Sequence, residues 1–367
     1  MALNWTPTVR KSALIAGAVL LHRALRPSGA VKKAKRKKRD SVRSILVVEL
    51  WNIGDVILAM PFLAQLRAKF PGAKITLLAA PHAEVLLRGT GLVDEFIETT
   101  LGLGAETERK GAVRKLSEIR RLSALLGKSD FDLAFQSRLH LREHVLLAES
   151  GAARTIGYSL GSGKSLLTDA VAVTDPDRHK VEDWMQLLDS FGPKPRAKVP
   201  TLAVTAAESE WATRFLSERG IAPGDDFIAI HPGASKAEKR WPLEKFEQVA
   251  RDLTAHGHRV LPLADPAGYG VSLERATGIG AARVSLREMI ALIARSRLLV
   301  CNDSGPMHIA GALGVPTVAV FGPAVSRWFA PLGEGHELVV GKGRSAGVEA
   351  VEVREVLAAV ERALKLR

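Results

Sequence analysis

The sequence has almost none of the residues that would build a disulfide or metal scaffold. One cysteine, Cys301, stands among 367 residues. An intrachain disulfide is excluded, and no Cys/His cluster has the spacing of a zinc site. A reducing compartment suits such a chain, and no metal or cofactor is expected. A dinucleotide fingerprint is also missing, since no glycine series after an early strand reads G-x-G-x-x-G. The apolar run Ala13–Leu21 is nine residues long, where a bilayer core needs about 20. A secretory signal would share its basic start, but a small-x-small cleavage site should follow, and here the cluster Lys32–Arg39 follows instead. After residue 40 there is no low-complexity segment.

What is present is a chain with 47% apolar and 25% charged residues, the balance of a globular protein with a sizeable core. Its length suits two domains rather than one or three. The net charge of +13 is concentrated at the start, because residues 1–40 carry eleven Lys and Arg against one acid, Asp40. The rest of the chain is nearly neutral and gives no signal for nucleic acid. Leu14, Ala18, Leu21 and Leu25 share one helical face, so a short interfacial helix followed by a polybasic segment is one reading of the appendage, and a solvated tail is the other.

From Ser44 onward, short apolar runs alternate with amphipathic stretches, the rhythm of β-α-β units around parallel sheets. Strands are expected at Ile45–Leu50, Ile75–Ala79 and Phe131–Phe135, and helices at Val56–Phe70 and around Leu116–Leu126. Prolines 176, 193, 195 and 200 punctuate a stretch with one helix, Val181–Phe191, before the rhythm restarts. The second series has strands at Phe227–Ile230, Arg259–Leu263, Leu298–Cys301 and Thr317–Phe321, and helices at Glu208–Arg219, Leu243–His256, Leu286–Arg295, Pro306–Leu313 and Val348–Leu364. The expected organisation is a basic extension over 1–40, a first Rossmann-like domain over 41–180, a linker over 181–200 and a second Rossmann-like domain over 201–367. This is an α/β protein of two doubly wound domains facing across a cleft, with ligands beyond the carboxyl ends of the strands.

Three segments carry candidate chemistry. The first, Trp51-Asn52-Ile53-Gly54-Asp55, follows the first strand; Gly54 permits a tight turn and Asp55 stands at the helix start, where an aspartate is commonly an N-cap. The second is the loop from His231-Pro232-Gly233 through Ser235, Lys236, Lys239 and Arg240 to Trp241-Pro242, basic enough for a diphosphate, though a solvated loop has the same composition. The third runs from Cys301-Asn302 through Asp303-Ser304-Gly305-Pro306-Met307-His308. Proline at the helix start leaves unpaired N–H groups and the positive dipole end facing an anion. His308 lies on that first turn, whereas Cys301 reads as core. Gly161-Ser162-Gly163-Lys164-Ser165 is no P-loop, because Tyr158 stands where its first glycine belongs. Asp130–Asp132 and Asp175–Asp177 are weak metal candidates.

The three segments together resemble glycosyltransferase family 9, the ADP-heptose:lipopolysaccharide heptosyltransferases, over most of residues 44–325. The motifs are Ile53-Gly54-Asp55-Val56-Ile57-Leu58-Ala59-Met60-Pro61, His231-Pro232-Gly233 with Lys239-Arg240-Trp241-Pro242, and Asn302-Asp303-Ser304-Gly305-Pro306-Met307-His308-Ile309-Ala310 with Gly314-Val315-Pro316-Thr317 behind it. The resemblance implies a GT-B-type, inverting transferase that moves heptose from ADP-heptose to a lipid-linked lipopolysaccharide core acceptor. It would work without a metal on the cytoplasmic face of the inner membrane, and it would not bind nucleic acid. Asp55 would then be the general base and Lys239 the diphosphate contact. Asn52, Gly54, His231, Gly233, Ser235, Lys236 and Asp303 through His308 would line the substrates. Where such proteins place a ribose-holding acid after the strand Arg259–Leu263, this chain has Asp265-Pro266-Ala267-Gly268-Tyr269-Gly270, with Glu274 as an equivalent. A catalytically silent nucleotide-sugar or glycolipid binder is the alternative, opposed by retention of Asp55 and Lys239.

Overall fold

The computed structural model describes residues 41–101, 112–158, 166–175, 177–192, 199–322, 326–342 and 347–365. The basic extension and the Gly161–Ser165 segment lie outside them. Eleven strands are present among the described residues: β1 (Ser44–Glu49), β2 (Lys74–Ala79), β3 (Glu95–Glu98), β4 (Leu133–Gln136), β5 (Arg154–Tyr158), β6 (Asp169–Val171), β7 (Ile228–His231), β8 (Val260–Pro262), β9 (Leu298–Asn302), β10 (Thr317–Phe321) and β11 (His336–Val340). They form two wholly parallel sheets, ordered β3-β2-β1-β4-β5-β6 and β11-β10-β9-β7-β8. Each is an α/β sheet of the doubly wound type.

The central strands explain themselves. Ile45 to Val48, Leu298 to Cys301 and Val318 to Phe321 are buried on both faces, which is why they read as unbroken apolar runs. Cys301 sits in the middle of β9, fully buried, and burial pushes its thiol far above the ordinary range. It is a core residue, not a nucleophile. The strands that periodicity missed are mostly edge or outer strands: β3 is Glu-Phe-Ile-Glu, and β6 and β11 are only partly buried. Half-covered strands carry charge and lose the apolar signature. Asp132 is occupied structurally, accepting the backbone N–H groups of Arg43 at 2.7 Å and Ser44 at 3.1 Å, so it ties the start of β1 to β4.

The chain divides into two compact units, one built from residues up to Asn52, Phe62–Pro176 and Val181–Ala197, the other from Ile53–Pro61, Asp177–Lys180 and Lys198–Arg367. The helix Ile53–Lys69 therefore contributes to both, and the change falls at Pro61, the one residue inside it that cannot donate to the helical ladder. That helix begins three residues before the expected Val56. Gly54 lies within its first turn rather than in a turn ahead of it, and Asp55 is an acidic residue of the first turn rather than its N-cap. The stretch 181–200 opens with the helix Lys180–Gln186, whose Val181, Trp184 and Met185 are buried; Trp184 packs on Phe62 with ring centroids 4.8 Å apart.

In each sheet the direction of winding reverses once, between β1 and β4 in the first and between β7 and β9 in the second. The segments leaving the carboxyl ends of strands beside such a reversal are splayed apart and leave space for a ligand. All three motif segments leave a strand of that kind.

Candidate functional site

In the second unit, the loop after β7 is held by one buried side chain at the end of β9. Asn302 donates from Nδ2 to the Pro232 carbonyl at 2.7 Å and accepts the Trp241 backbone N–H on Oδ1 at 3.0 Å. Trp241 is fully buried and donates its indole N–H to the Val351 carbonyl at 3.0 Å. Both ends of the segment 232–241 are thereby fixed. Between them, Arg240 donates to the Ala234 carbonyl at 2.9 Å and lies over the Tyr269 ring, while a short 3-10 turn, Ala237–Lys239, aims Lys239 back at β9.

Lys239 Nζ reaches Asp303 Oδ2 at 2.6 Å. Asp303 is buried and Lys239 is half-buried, so the pair is partly desolvated. Next to it begins the helix Gly305–Leu313, with Ser304 as N-cap and Pro306 in its first turn. The Ser304 hydroxyl bonds to the Asn302 carbonyl at 3.2 Å, leaving the first N–H groups without a side-chain cap. An oriented ammonium and an uncapped helix start are what a diphosphate requires.

His308 lies on the first turn of this helix, buried, and its ring meets the start of the helix Ile53–Lys69. Burial lowers its pKa to about 4, against the opposing pull of the Asp303 and Asp55 carboxylates. His231 is likewise buried and lowered to about 4 by desolvation, with Asp265 opposing. Both rings are neutral near pH 7. Gly54, Asp55, Lys239, Asp303, Gly305 and His308 thus converge within one unit, and His231 and Gly233 stand beside them at the end of β7. Other candidates lie apart. Ser235 and Lys236 are exposed, and Lys236 faces Glu238 at 3.8 Å. Met307 is fully buried core. Glu274 sits on an exposed helical turn and accepts the Ala281 N–H at 3.3 Å. The acid that acts on His231 from beyond β8 is Asp265. Asn52 is exposed and groups with the first unit.

A second cluster was not expected from the sequence. In the first unit, Trp51 follows β1 and the segment Arg138–Glu143 follows β4, on the two strands flanking the winding reversal. Trp51 donates its indole N–H to Glu143 Oε1 at 3.0 Å, meets the His140 ring in a tilted contact with centroids 4.9 Å apart, and carries the Arg142 and Arg138 guanidinia at 4.8 and 5.7 Å from its ring centroid. Arg142 also donates to the Leu101 carbonyl at 2.9 Å. Glu143 is buried, and desolvation raises its pKa to about 7 even though both arginines oppose the shift. His140 is lowered to about 4, by desolvation first and then by the arginines. The signal available was two arginines alternating with a histidine, Arg138, His140 and Arg142, directly after a buried strand.

Residues 119–355 match the family model described as "Glycosyltransferase family 9 (heptosyltransferase)". The chain belongs to glycosyltransferase family 9. It is 26% identical over 308 residues to lipopolysaccharide heptosyltransferase 2 of Salmonella typhimurium, covering 78% of this chain and 85% of that protein. Among solved structures, a family 9 glycosyl transferase from Veillonella parvula superposes with a TM-score of 0.75 at 22% identity, covering 89% of this chain and 98% of that one. The E. coli ADP-heptose lipopolysaccharide heptosyltransferase II gives 0.68 at 21% identity, covering 88% and 99%. This family 9 glycosyltransferase therefore has the GT-B type of fold, and its motif segments leave the carboxyl ends of β1, β7 and β9.

The buried titratable groups set an acid limit. A histidine that folds with its pKa lowered from 6.5 to about 4 takes up a proton on unfolding between those values, so its contribution to stability is complete above pH 6.5 and lost as pH falls toward 4. Glu143, raised from 4.5 to about 7, has the opposite sign: it favours the folded state below pH 4.5 and loses that contribution as pH rises to 7. Three histidines outweigh one glutamate. Thermal unfolding followed by circular dichroism should show the midpoint falling as pH is lowered from 6.5 to 4.5, and Glu143→Gln should make the fall steeper. A flat profile, or a shallower one in the variant, would contradict these environments.

Proposed function

We propose that this glycosyltransferase moves heptose from ADP-heptose to a lipopolysaccharide core acceptor with inversion at the anomeric carbon. The observation that carries the reading is the convergence of Asp55, the Lys239–Asp303 pair and the start of the helix Gly305–Leu313 at the winding reversal of the second sheet. In the step itself, an acceptor hydroxyl oxygen forms its bond to the anomeric carbon as the carbon–oxygen bond to the diphosphate breaks. Asp55 takes the hydroxyl proton, and ADP departs with the electron pair. A base is needed because a sugar hydroxyl is a weak nucleophile, and positive charge is needed because the diphosphate gains charge as it leaves. Lys239 and the helix N–H groups meet the second need. The names of the relatives, heptosyltransferases 1, 2 and 3 of lipopolysaccharide synthesis, support the donor and acceptor classes.

On the first unit, Trp51 with Arg138 and Arg142 suits an acceptor that is both a sugar and an anion. An indole face packs on a sugar ring, and a pair of guanidinia binds carboxylate or phosphate. Retention of the base and the phosphate cation opposes a silent binding protein.

Asp55→Asn should lower turnover by about 10²-fold or more while ADP still binds within a few-fold. Turnover at the wild-type rate would return Asp55 to a merely structural role. Lys239→Ala should weaken ADP binding and reduce turnover further still, since the cation acts most strongly on the leaving group; Lys236→Ala, at an exposed residue, should do neither. Equal small effects of the two lysine changes on initial rate would remove the loop from the mechanism.

The same reading places the enzyme peripherally on the inner face of the inner membrane, with residues 1–40 as the tether. The cluster Lys32–Arg39 contains seven cations, each contributing about 1 kcal/mol at an anionic surface. A chain starting near Ser41 should sediment less with phosphatidylglycerol vesicles yet keep its turnover on a delipidated acceptor. Undiminished vesicle binding would end the tether proposal.

A further inference from the structure

The starts of two helices interlock in the second unit, and each gives up a side chain where the other inserts one. Gly54, buried in the first turn of Ile53–Lys69, faces the His308 ring: a Cβ at position 54 would lie 2.4 Å from His308 Cδ2 and 2.8 Å from Nε2. Real Cβ atoms do not approach that closely. Gly305, the first residue of Gly305–Leu313, faces Ile53 in return, and a Cβ there would lie 3.1 Å from both Cβ and Cγ2 of Ile53. Two contacts running in opposite senses fix how far the helix starts approach and how they are turned. Asp55 is the residue next to Gly54; Asp303, which holds Lys239, is two residues before Gly305. The interlock therefore measures out the separation between the acid and the cation.

His308 suits a spacer better than a phosphate ligand. It is 5% exposed, and burial keeps it neutral, so it brings no charge to an anion. It is held in a close-packed helix between Met307 and Ile309, both fully buried. Packing of this density does not yield smoothly when a methyl group is added.

We propose that His308 is a positioning residue, its ring being the surface on which Gly54 seats, so that Asp55 is held at a set distance from the Lys239–Asp303 pair. This rests on the reading of Asp55 as the base. A displacement of about 1 Å at a reacting group can cost on the order of 10²-fold in rate, whereas the Lys239–Asp303 pair and the helix N–H groups read above as the diphosphate contacts stay in place, so donor affinity should change little.

The test is a double-mutant cycle on the full-length protein with ADP as the binding probe. Gly54→Ala should reduce kcat at least tenfold with the ADP Kd within about threefold of wild type. His308→Ala should reduce kcat several-fold, and adding Gly54→Ala to it should cost no more than about threefold, because the cavity left by the ring accepts the methyl group. His308→Asn serves in the same cycle should the alanine variant fail to fold by circular dichroism. In an Asp55→Asn background, Gly54→Ala should have no further effect on kcat. Effects of positions 54 and 308 that multiply independently, or a Gly54→Ala enzyme with wild-type kcat, would overturn the proposal. If Asp55→Asn alone keeps full turnover, the general-base reading fails; the cycle between positions 54 and 308, read by kcat and by unfolding midpoint, still decides whether the ring seats Gly54.

Discussion

The arrangement of loops at the carboxyl end of the second sheet depends on one buried amide. Asn302 has a donor and an acceptor on the same rigid group, and it uses the first on the Pro232 carbonyl and the second on the Trp241 N–H. A buried polar group left unpaired is costly, so these bonds make the segment after β7 and the turn after β9 a single object. Lys239 can meet Asp303 only because the ends of its loop are fixed. An aliphatic residue at position 302 would keep the strand and lose the loop.

A second constraint is electrostatic. The two clusters combine buried neutral imidazoles with cations that are already engaged. Lys239 is paired with an acid, Arg240 braces its own loop, and Arg138 and Arg142 lie against Trp51 beside a buried glutamate. Engaged cations lose little freedom when an anion arrives, which is how preorganisation favours developing charge over ground-state binding. The two sheets differ in strand order, yet each collects such a cluster at its own reversal of winding.

The interlock of Gly54 with His308 gives the family motifs a common physical purpose. The first motif supplies a glycine and an acid, and the third supplies a glycine and an imidazole. Their spacings within the chain are separate facts, but the two glycines serve one pair of reciprocal contacts, Gly54 against the His308 ring and Gly305 against Ile53. His308 and Met307, adjacent in the motif, accordingly play different parts, one facing Gly54 and the other filling the core.

By itself the sequence determined the α/β architecture, because doubly buried strands such as Leu298–Asn302 and Thr317–Phe321 must be continuous apolar runs. It also singled out three segments that leave strands beside the two winding reversals, because each joins glycine to charge directly after an apolar run. Local pattern could not reveal β3, β6 or β11, whose partial exposure admits charge, or the true start of the helix at Ile53. Only tertiary structure decided that Gly54 serves a close approach rather than a turn, that Lys239 faces Asp303, and that Trp51 gathers Arg138, His140, Arg142 and Glu143 from the segment after β4, with Glu143 92 residues away. The physical reason is the same in each case. Burial and hydrogen bonding between segments distant in sequence are set by which strands lie side by side, and periodicity along one segment carries no record of its neighbours.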